Sequence, residues 1–344
     1  MRLCRVGCSV SDRPTLSTVE KLTEIWQQAL QRPSIGPEDS FYDFAGSDTQ
    51  ADKIFAEVAR VFGRELPSAT ICHAPTIAAL AALLEQPTFP RFSPFVPLKA
   101  GSQMPPILIT HGVGGRASFS ELAKCIHTAH PVYGVQAKGV DGMEEPFERI
   151  EDMAAFYLDE LNRLPAQGPY ILIGYSFGGL VALEMAQRLS DEGKRVALLV
   201  LVDSYPHPRY FPLGQRLWLL AKRARGHLFE KKRVHASPLP KQRSKLSFEL
   251  TTAHVKESDF RALARYRPRF YKGKIRFVRP ESNSYLPNNP AALWKNLAAG
   301  LEVETVPGDH LSMIGKHYDA LAAVLTRYVE ESDVAKSRQE ISQR

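Results

Sequence analysis

This sequence predicts an α/β fold with a small N-terminal all-α helical bundle, on three observations. From Ile107 to Val329, short apolar runs of strand type alternate with segments of helical spacing, the pattern of a mostly parallel sheet with helices on both faces. One run, Tyr170-Ile171-Leu172-Ile173, leads directly into Gly174-Tyr175-Ser176-Phe177-Gly178 and then into helical spacing at Leu180, Val181, Leu183, Glu184, Met185 and Arg188. Between Leu16 and Leu84 lie three amphipathic helical stripes, set apart from the rest by a proline-rich stretch.

The bundle is expected over residues 15–87. Leu16, Val19, Leu22, Trp26 and Ala29 share one helix face that Pro33 ends. Ala51, Ile54, Phe55, Val58, Val61 and Phe62 mark a second helix before Gly63, and Ile77, Leu80 and Leu84 a third after Pro75. At this size three stripes can just bury a core of their own. Pro87, Pro90, Pro94, Pro97, Pro105 and Pro106 then read as a semi-rigid linker over 88–106.

The large domain is expected over 107–331. Its strands are Ile107–Thr110, Val132–Gln136, the run before Gly174, Val196–Val202, Lys274–Val278 and Leu301–Val306. Its helices lie near Ser118–Ala129, Ile150–Leu164, Ala291–Ala298 and Tyr318–Val329, and the polar tail 332–344 is expected to be disordered.

Composition narrows the setting. A chain of 344 residues, 44% hydrophobic, accommodates one large and one small domain. Cys4, Cys8, Cys72 and Cys125 fit neither a metal-ligand spacing nor a disulfide framework, which points to a reducing compartment. Met1 to Cys8 lacks the apolar core of a signal peptide, and no apolar run approaches the roughly 20 residues that span a bilayer, so a cytoplasmic protein without membrane contact is expected.

The chemistry centres on Ser176. An apolar strand, a G-x-S-x-G turn and a helix make a nucleophile elbow: the serine sits on a sharp, strained turn, and a side chain at 174 or 178 would collide with the neighbouring strand or helix. Its hydroxyl then stands at a helix N-terminus, where developing negative charge is favoured. Asp203 ends the next strand, and His310 lies in Val306-Pro307-Gly308-Asp309-His310, after the last one. The order Ser, Asp, His is that of the α/β-hydrolase fold. Glu281 is the rival acid, after the following strand, and His317 the rival base. His111-Gly112-Val113-Gly114-Gly115 follows the first strand, where the N–H of Val113 can join that of Phe177 in an oxyanion hole; it lacks the ending of a phosphate loop, and His111 reads as structural.

Two resemblances rest on these residues. Phe41-Tyr42-Asp43-Phe44-Ala45-Gly46 resembles the loop of the peptidyl or acyl carrier domains of nonribosomal peptide and polyketide synthetases, in which a serine at the start of the second helix takes phosphopantetheine. Aligned on that pattern, Ser47 falls on a variable position and Asp48 on the attachment slot. A carboxylate can cap the helix but cannot accept the group, so a degenerate carrier is the preferred expectation, with Ser47 as the alternative attachment residue. The large domain resembles the thioesterase domains that end such assembly lines. That likeness implies Ser176, Asp203 and His310 as a triad, no cofactor on the hydrolase, and release of an acyl or peptidyl chain by hydrolysis or macrocyclisation. The phosphopantetheine would then belong to a loaded carrier domain of another synthetase polypeptide. A carboxylesterase of free esters and a non-catalytic carrier-docking protein are the alternatives.

The resemblance also implies a lid, expected at about 207–265. Between Arg209 and Lys245, Glu230 alone opposes eleven Lys and Arg residues, among them Lys231, Lys232 and Arg233, which makes a docking face for an acidic carrier one reading and a solvated surface the other. Nucleic acid is disfavoured, because no base-stacking aromatics are interleaved with the charges. Phe211, Leu213, Leu217, Trp218, Leu219 and Leu220 suggest an apolar underside that could cover an acyl chain.

Overall fold

A computed structural model describes residues 16–342, except Ala45, Ser47, Pro67, His73, 87–91, Met104, Ser118, 165–167, Pro212, Gln215, 218–247 and 283–288. The N-terminal bundle has three helices: α1 (Thr18–Leu30), α2 (Asp48–Phe62) and α3 (Ile77–Glu85), with a 3₁₀ turn at Ser68–Cys72. A capping box fixes the start of α1: the Ser17 hydroxyl accepts from the Glu20 N–H, and the Ser17 N–H donates to the Glu20 carboxylate. Because Ser17 is the cap, Leu16 precedes the helix, and Leu16 and Val19, expected to face inward, are exposed while Ile25 and Leu30 are buried. Val61 is likewise at the surface. The core gathers Leu22, Trp26, Phe41, Ile54, Val58, Ile71 and Ile77, with Trp26 edge-on to Phe41.

The second domain is built on a seven-stranded sheet. Its strands are β1 (Phe95–Lys99), β2 (Ile107–Thr110), β3 (Val132–Val135), β4 (Tyr170–Tyr175), β5 (Val196–Val202), β6 (Tyr271–Pro280) and β7 (Ala298–Val306), in the order β1-β3-β2-β4-β5-β6-β7. Every neighbouring pair is parallel except β1 with β3. The central strands are buried on both faces and sort by period two. Leu108, Leu172, Leu199 and Leu201 enter one core; Ile107, Ile109, Ile171, Ile173, Val200 and Val202 enter the other. Helices α4 (Ser120–Cys125), α5 (Ile150–Leu161), α6 (Phe177–Asp191), α7 (Phe248–Arg265), α8 (Pro290–Trp294), α9 (Ser312–Gly315) and α10 (Tyr318–Ser342) complete the domain.

Two expectations are corrected. The stretch 88–106 is not all linker, since β1 pairs with β3 with Phe95 and Val96 buried. Pro97 is tolerated there because an edge strand leaves one side of its backbone unpaired, and the ladder shifts register between Pro97 and Lys99. The tail is not disordered from 332: α10 runs on to Ser342, with no Gly or Pro to stop it and Ala335, Lys336, Arg338, Gln339 and Glu340 favouring the helix. Asp333 on this extension meets Nε2 of the buried His130 at 3.2 Å, while Nδ1 of His130 bonds the Pro105 carbonyl at 2.7 Å.

The bundle lies against the hydrolase domain. Val140, from the loop after β3, is buried in the bundle's own apolar core. Lys124 on α4 pairs with Asp43 at 3.1 Å, and α2 and the 3₁₀ turn pack on α7. Helix α7 forms the end of the expected lid; Phe211 is buried, but Leu213 and Leu217 are exposed rather than forming an underside. Trp218, Leu219, Leu220, Lys231, Lys232 and Arg233 lie outside the described residues.

Candidate active site

Ser176 stands between β4 and α6 with φ 53° and ψ −119°, a conformation costing roughly 1–3 kcal/mol in a non-glycine residue. The surroundings hold it there. Its N–H donates to the Val202 carbonyl at 2.8 Å, which ties the turn to the end of β5. A Cβ on Gly174 would lie 2.3 Å from the Cα of Gly179, and one on Gly178 would lie 2.2 Å from the His111 carbonyl oxygen, so both positions must be glycine.

Asp203 takes the same position one strand over. It directly follows β5 with φ 43°, and its N–H donates to the Val278 carbonyl of β6 at 2.8 Å. Gln31, Ser176 and Asp203 are the non-glycine residues with positive φ among those described. Gln31 is an ordinary left-handed helix cap, so the backbone strain that needs a further account falls on the two sequence-selected site residues. The Asp203 side chain is fully buried, and its Oδ2 accepts the Nδ1–H of His310 at 2.6 Å. That bond fixes the tautomer and leaves Nε2 of His310 as an acceptor. Among the described residues no hydrogen bond joins Ser176 to His310, a contact that commonly tightens only when substrate binds.

The His310 loop is held from two sides. The Asp309 carboxylate accepts the N–H groups of Leu311 and Ser312 and the Ser312 hydroxyl, and these bonds to Ser312 keep its pKa below the usual carboxylate range. The Tyr175 hydroxyl donates to the His310 carbonyl at 2.6 Å, and its ring stacks on the imidazole with centroids 5.0 Å apart. Sequence reasoning treated Tyr175 only as the variable residue of the elbow. Of the rivals, Glu281 is exposed just after β6, and His317 precedes α10 with its ring beside Gly308 and its N–H donating to the Ser312 carbonyl.

Val113 and Phe177 both line a cavity of ≈310 Å³ together with Ser176 and Asp203. Its remaining walls are mostly apolar, with Tyr205, Phe211, Phe260 and Leu263 among them. Phe177 is the first residue of α6, whose N-terminal N–H groups have no partner within the helix. His111 is buried under this floor, with Nδ1 on the Gly112 carbonyl at 2.8 Å and Nε2 accepting from Tyr157 at 3.1 Å. Burial lowers its pKa to about 4, so the ring is neutral and structural. Sequence reasoning missed a second buried group, Asp259 on α7, which accepts the Gly114 N–H at 2.9 Å and whose pKa burial raises to about 8.

Comparison with known proteins bears on this arrangement. A family model described as thioesterase domain matches residues 105–328. The chain belongs to that family. A second model, described as phosphopantetheine attachment site, matches residues 20–84 and implies attachment of that group within the bundle. Asp48 there is the first residue of α2, and Ser47 lies outside the described residues. Among curated relatives, a dimodular nonribosomal peptide synthase of Bacillus subtilis is 33% identical over 204 residues, 59% of this chain and 8% of that protein. Indigoidine synthase of Streptomyces lavendulae is 33% identical over 191 residues, 55% of this chain and 15% of that protein. The thioesterase thus spans only a small part of these relatives. A solved four-domain nonribosomal peptide synthetase superposes with a TM-score of 0.56 at 21% identity, covering 95% of this chain and 27% of that one. The type II thioesterase BorB of the borrelidin cluster gives 0.51 at 20% identity, covering 68% and 96%. These likenesses establish an α/β-hydrolase fold preceded by a carrier-like bundle. No helix among the described residues is long and apolar enough to cross a membrane.

Proposed function

We propose that this chain is a serine thioesterase that releases an acyl or peptidyl chain from a phosphopantetheine thioester in secondary-metabolite biosynthesis. The observation that carries the reading is a strained Ser176 and a buried Asp203 at the carboxyl ends of adjacent strands, both lining one cavity, with Asp203 hydrogen-bonded to His310. Ser176 Oγ attacks the thioester carbonyl while Nε2 of His310 takes its proton. The Val113 and Phe177 N–H groups stabilise the oxyanion. Collapse breaks the C–S bond, His310 returns the proton to the departing thiolate, and an acyl-serine ester remains. Water, or a nucleophile within the chain itself, then attacks that ester with His310 as base and restores Ser176. Asp203 holds the imidazole and offsets its transient charge throughout.

The bundle enters this reading as a carrier that has lost its attachment chemistry. A carboxylate at Asp48 has no hydroxyl to take the phosphopantetheinyl group, so at the family's position the residue does not fit the group its family implies. The substrate would therefore arrive on the carrier domain of another synthetase polypeptide.

Thiol release from acyl-pantetheine thioesters, measured beside hydrolysis of the matching oxyesters, tests the reading. The thioester should turn over faster, and Ser176→Ala should abolish both activities. Equal or better oxyester turnover, indifferent to removal of residues 1–90, would make the chain a carboxylesterase instead.

A further inference from the structure

The lid helix α7 lies across the loop that carries Val113 at three successive points. Arg116 Nη2 donates to Thr252 Oγ1 at 2.9 Å; a Cβ on Gly115 would come within 2.8 Å of the buried Val255; and the Gly114 N–H donates to Asp259 Oδ2 at 2.9 Å. The loop has little stiffness of its own. Gly112, Gly114 and Gly115 flank Val113, and Gly114 and Gly115 adopt φ of +100° and +80°. Glycines let the backbone fit this space but give it no side-chain barrier against moving away. The Gly114 N–H therefore needs a partner outside the loop, and Asp259 supplies it from 145 residues further along the chain.

That partner is costly to keep. Asp259 is fully buried, and its Oδ1 has no hydrogen-bond partner among the described residues. A carboxyl group buried with half of its acceptors idle is poor for stability. The peptide that Oδ2 grips, Val113–Gly114, is the one next to the peptide bearing the Val113 N–H.

We propose that Asp259 is the positioning residue of the oxyanion hole: by holding the Gly114 N–H it fixes the backbone of Val113 and keeps the Val113 N–H aimed at the oxygen of the reacting carbonyl. This inference rests on the thioesterase reading and assigns to the lid helix a part in catalysis beyond covering the substrate. Asp259 is not among the residues lining the cavity that holds Ser176 and Val113, so it would act through the Val113 N–H, on an interaction that strengthens in the transition state.

The test uses the full chain with Asp259→Asn, which keeps an acceptor oxygen, and Asp259→Leu, which removes it while filling the space. Thiol release from an acyl-pantetheine gives kcat and KM, and an alkyl trifluoromethyl ketone, which forms a tetrahedral oxyanion on the serine, reports the hole without turnover. Loss of a whole oxyanion donor costs about 10²–10³-fold in kcat, so misplacement in Asp259→Leu should cost about 10- to 100-fold with KM nearly unchanged. Affinity for the ketone should fall in parallel, and Asp259→Asn should restore both to within about threefold. A folded Asp259→Leu variant with wild-type kcat and ketone affinity would overturn the proposal. So would an Asp259→Asn variant as impaired as Asp259→Leu, or a loss confined to KM or melting temperature with the ketone unaffected. If the wild-type protein binds the ketone through Ser176 yet releases no thiol, the thioesterase reading fails by itself, and the ketone affinities still decide the role of Asp259.

Discussion

The two domains have kept different things. In the hydrolase domain, strain and burial are concentrated on the proposed catalytic residues: Ser176 and Asp203 have positive φ, and the Asp203 side chain is fully buried against His310. In the bundle the apolar core is intact around Trp26 and Phe41, while Asp48 stands where the carrier resemblance expects the attachment serine. A helical core depends on stripe and volume and is indifferent to the identity of one polar residue at a helix start, so a fold of this kind can form whether or not a serine stands there. The bundle also makes contact with the other domain. Val140 of the hydrolase domain sits in its core, Asp43 pairs with Lys124, and α2 packs on α7, the helix whose Asp259 accepts from the Val113 loop.

The sharpest way to break this contrast is to exchange acids within the hydrolase domain. Asp203→Asn keeps the shape but favours the wrong histidine tautomer and should lower kcat by about 10⁴-fold, whereas Glu281→Gln, at the exposed rival position, should stay within about twofold. Equal losses in the two variants would show that the acid is shared.

A smaller effect concerns the floor of the site. His111 has a pKa of about 4 in the folded chain against an ordinary 6.5, so the unfolded chain binds more protons between these values. Stability from this group is therefore present above pH 6.5 and lost as the pH falls through 4, by up to about 3 kcal/mol at 1.36 kcal/mol per unit. Urea melts of His111→Gln should lose that part of the slope between pH 4 and 6.5. Asp259 acts in the opposite sense: its folded pKa of about 8 lies above the ordinary 3.8, so stability falls as the pH rises from 4 to 8.

The mildest change is in the bundle. Asp48→Ser puts a hydroxyl at the family position, and with coenzyme A and a phosphopantetheinyl transferase it should gain the mass of one phosphopantetheinyl group, the wild type gaining none. A gain in the wild type that Ser47→Ala removes would make Ser47 the attachment residue.

What the sequence made legible follows the range of the interactions. The elbow could be read because strand, glycines and serine are adjacent, and Asp203 and His310 because each directly follows or closely trails an apolar strand. Tyr175 could not be recognised as a brace for His310, since its contact spans 135 residues and the elbow tolerates many side chains there. Asp259 gave no signal, lying on an amphipathic helix among Lys256, Glu257 and Arg261, where one more carboxylate reads as surface. Strand β1 was hidden by its prolines, and the end of α10 by a polarity that resembles a tail but also suits a helix.

The proposed mechanism turns on a covalent acyl intermediate that Ser176 forms from a thioester. Intact-protein mass after brief exposure to a panel of acyl-pantetheine thioesters tests it most directly, with Ser176→Ala alongside. The wild type alone should gain the mass of the acyl group, or release thiol without accumulation where deacylation is fast. An adduct that survives in Ser176→Ala, or neither adduct nor thiol across the panel, would contradict it.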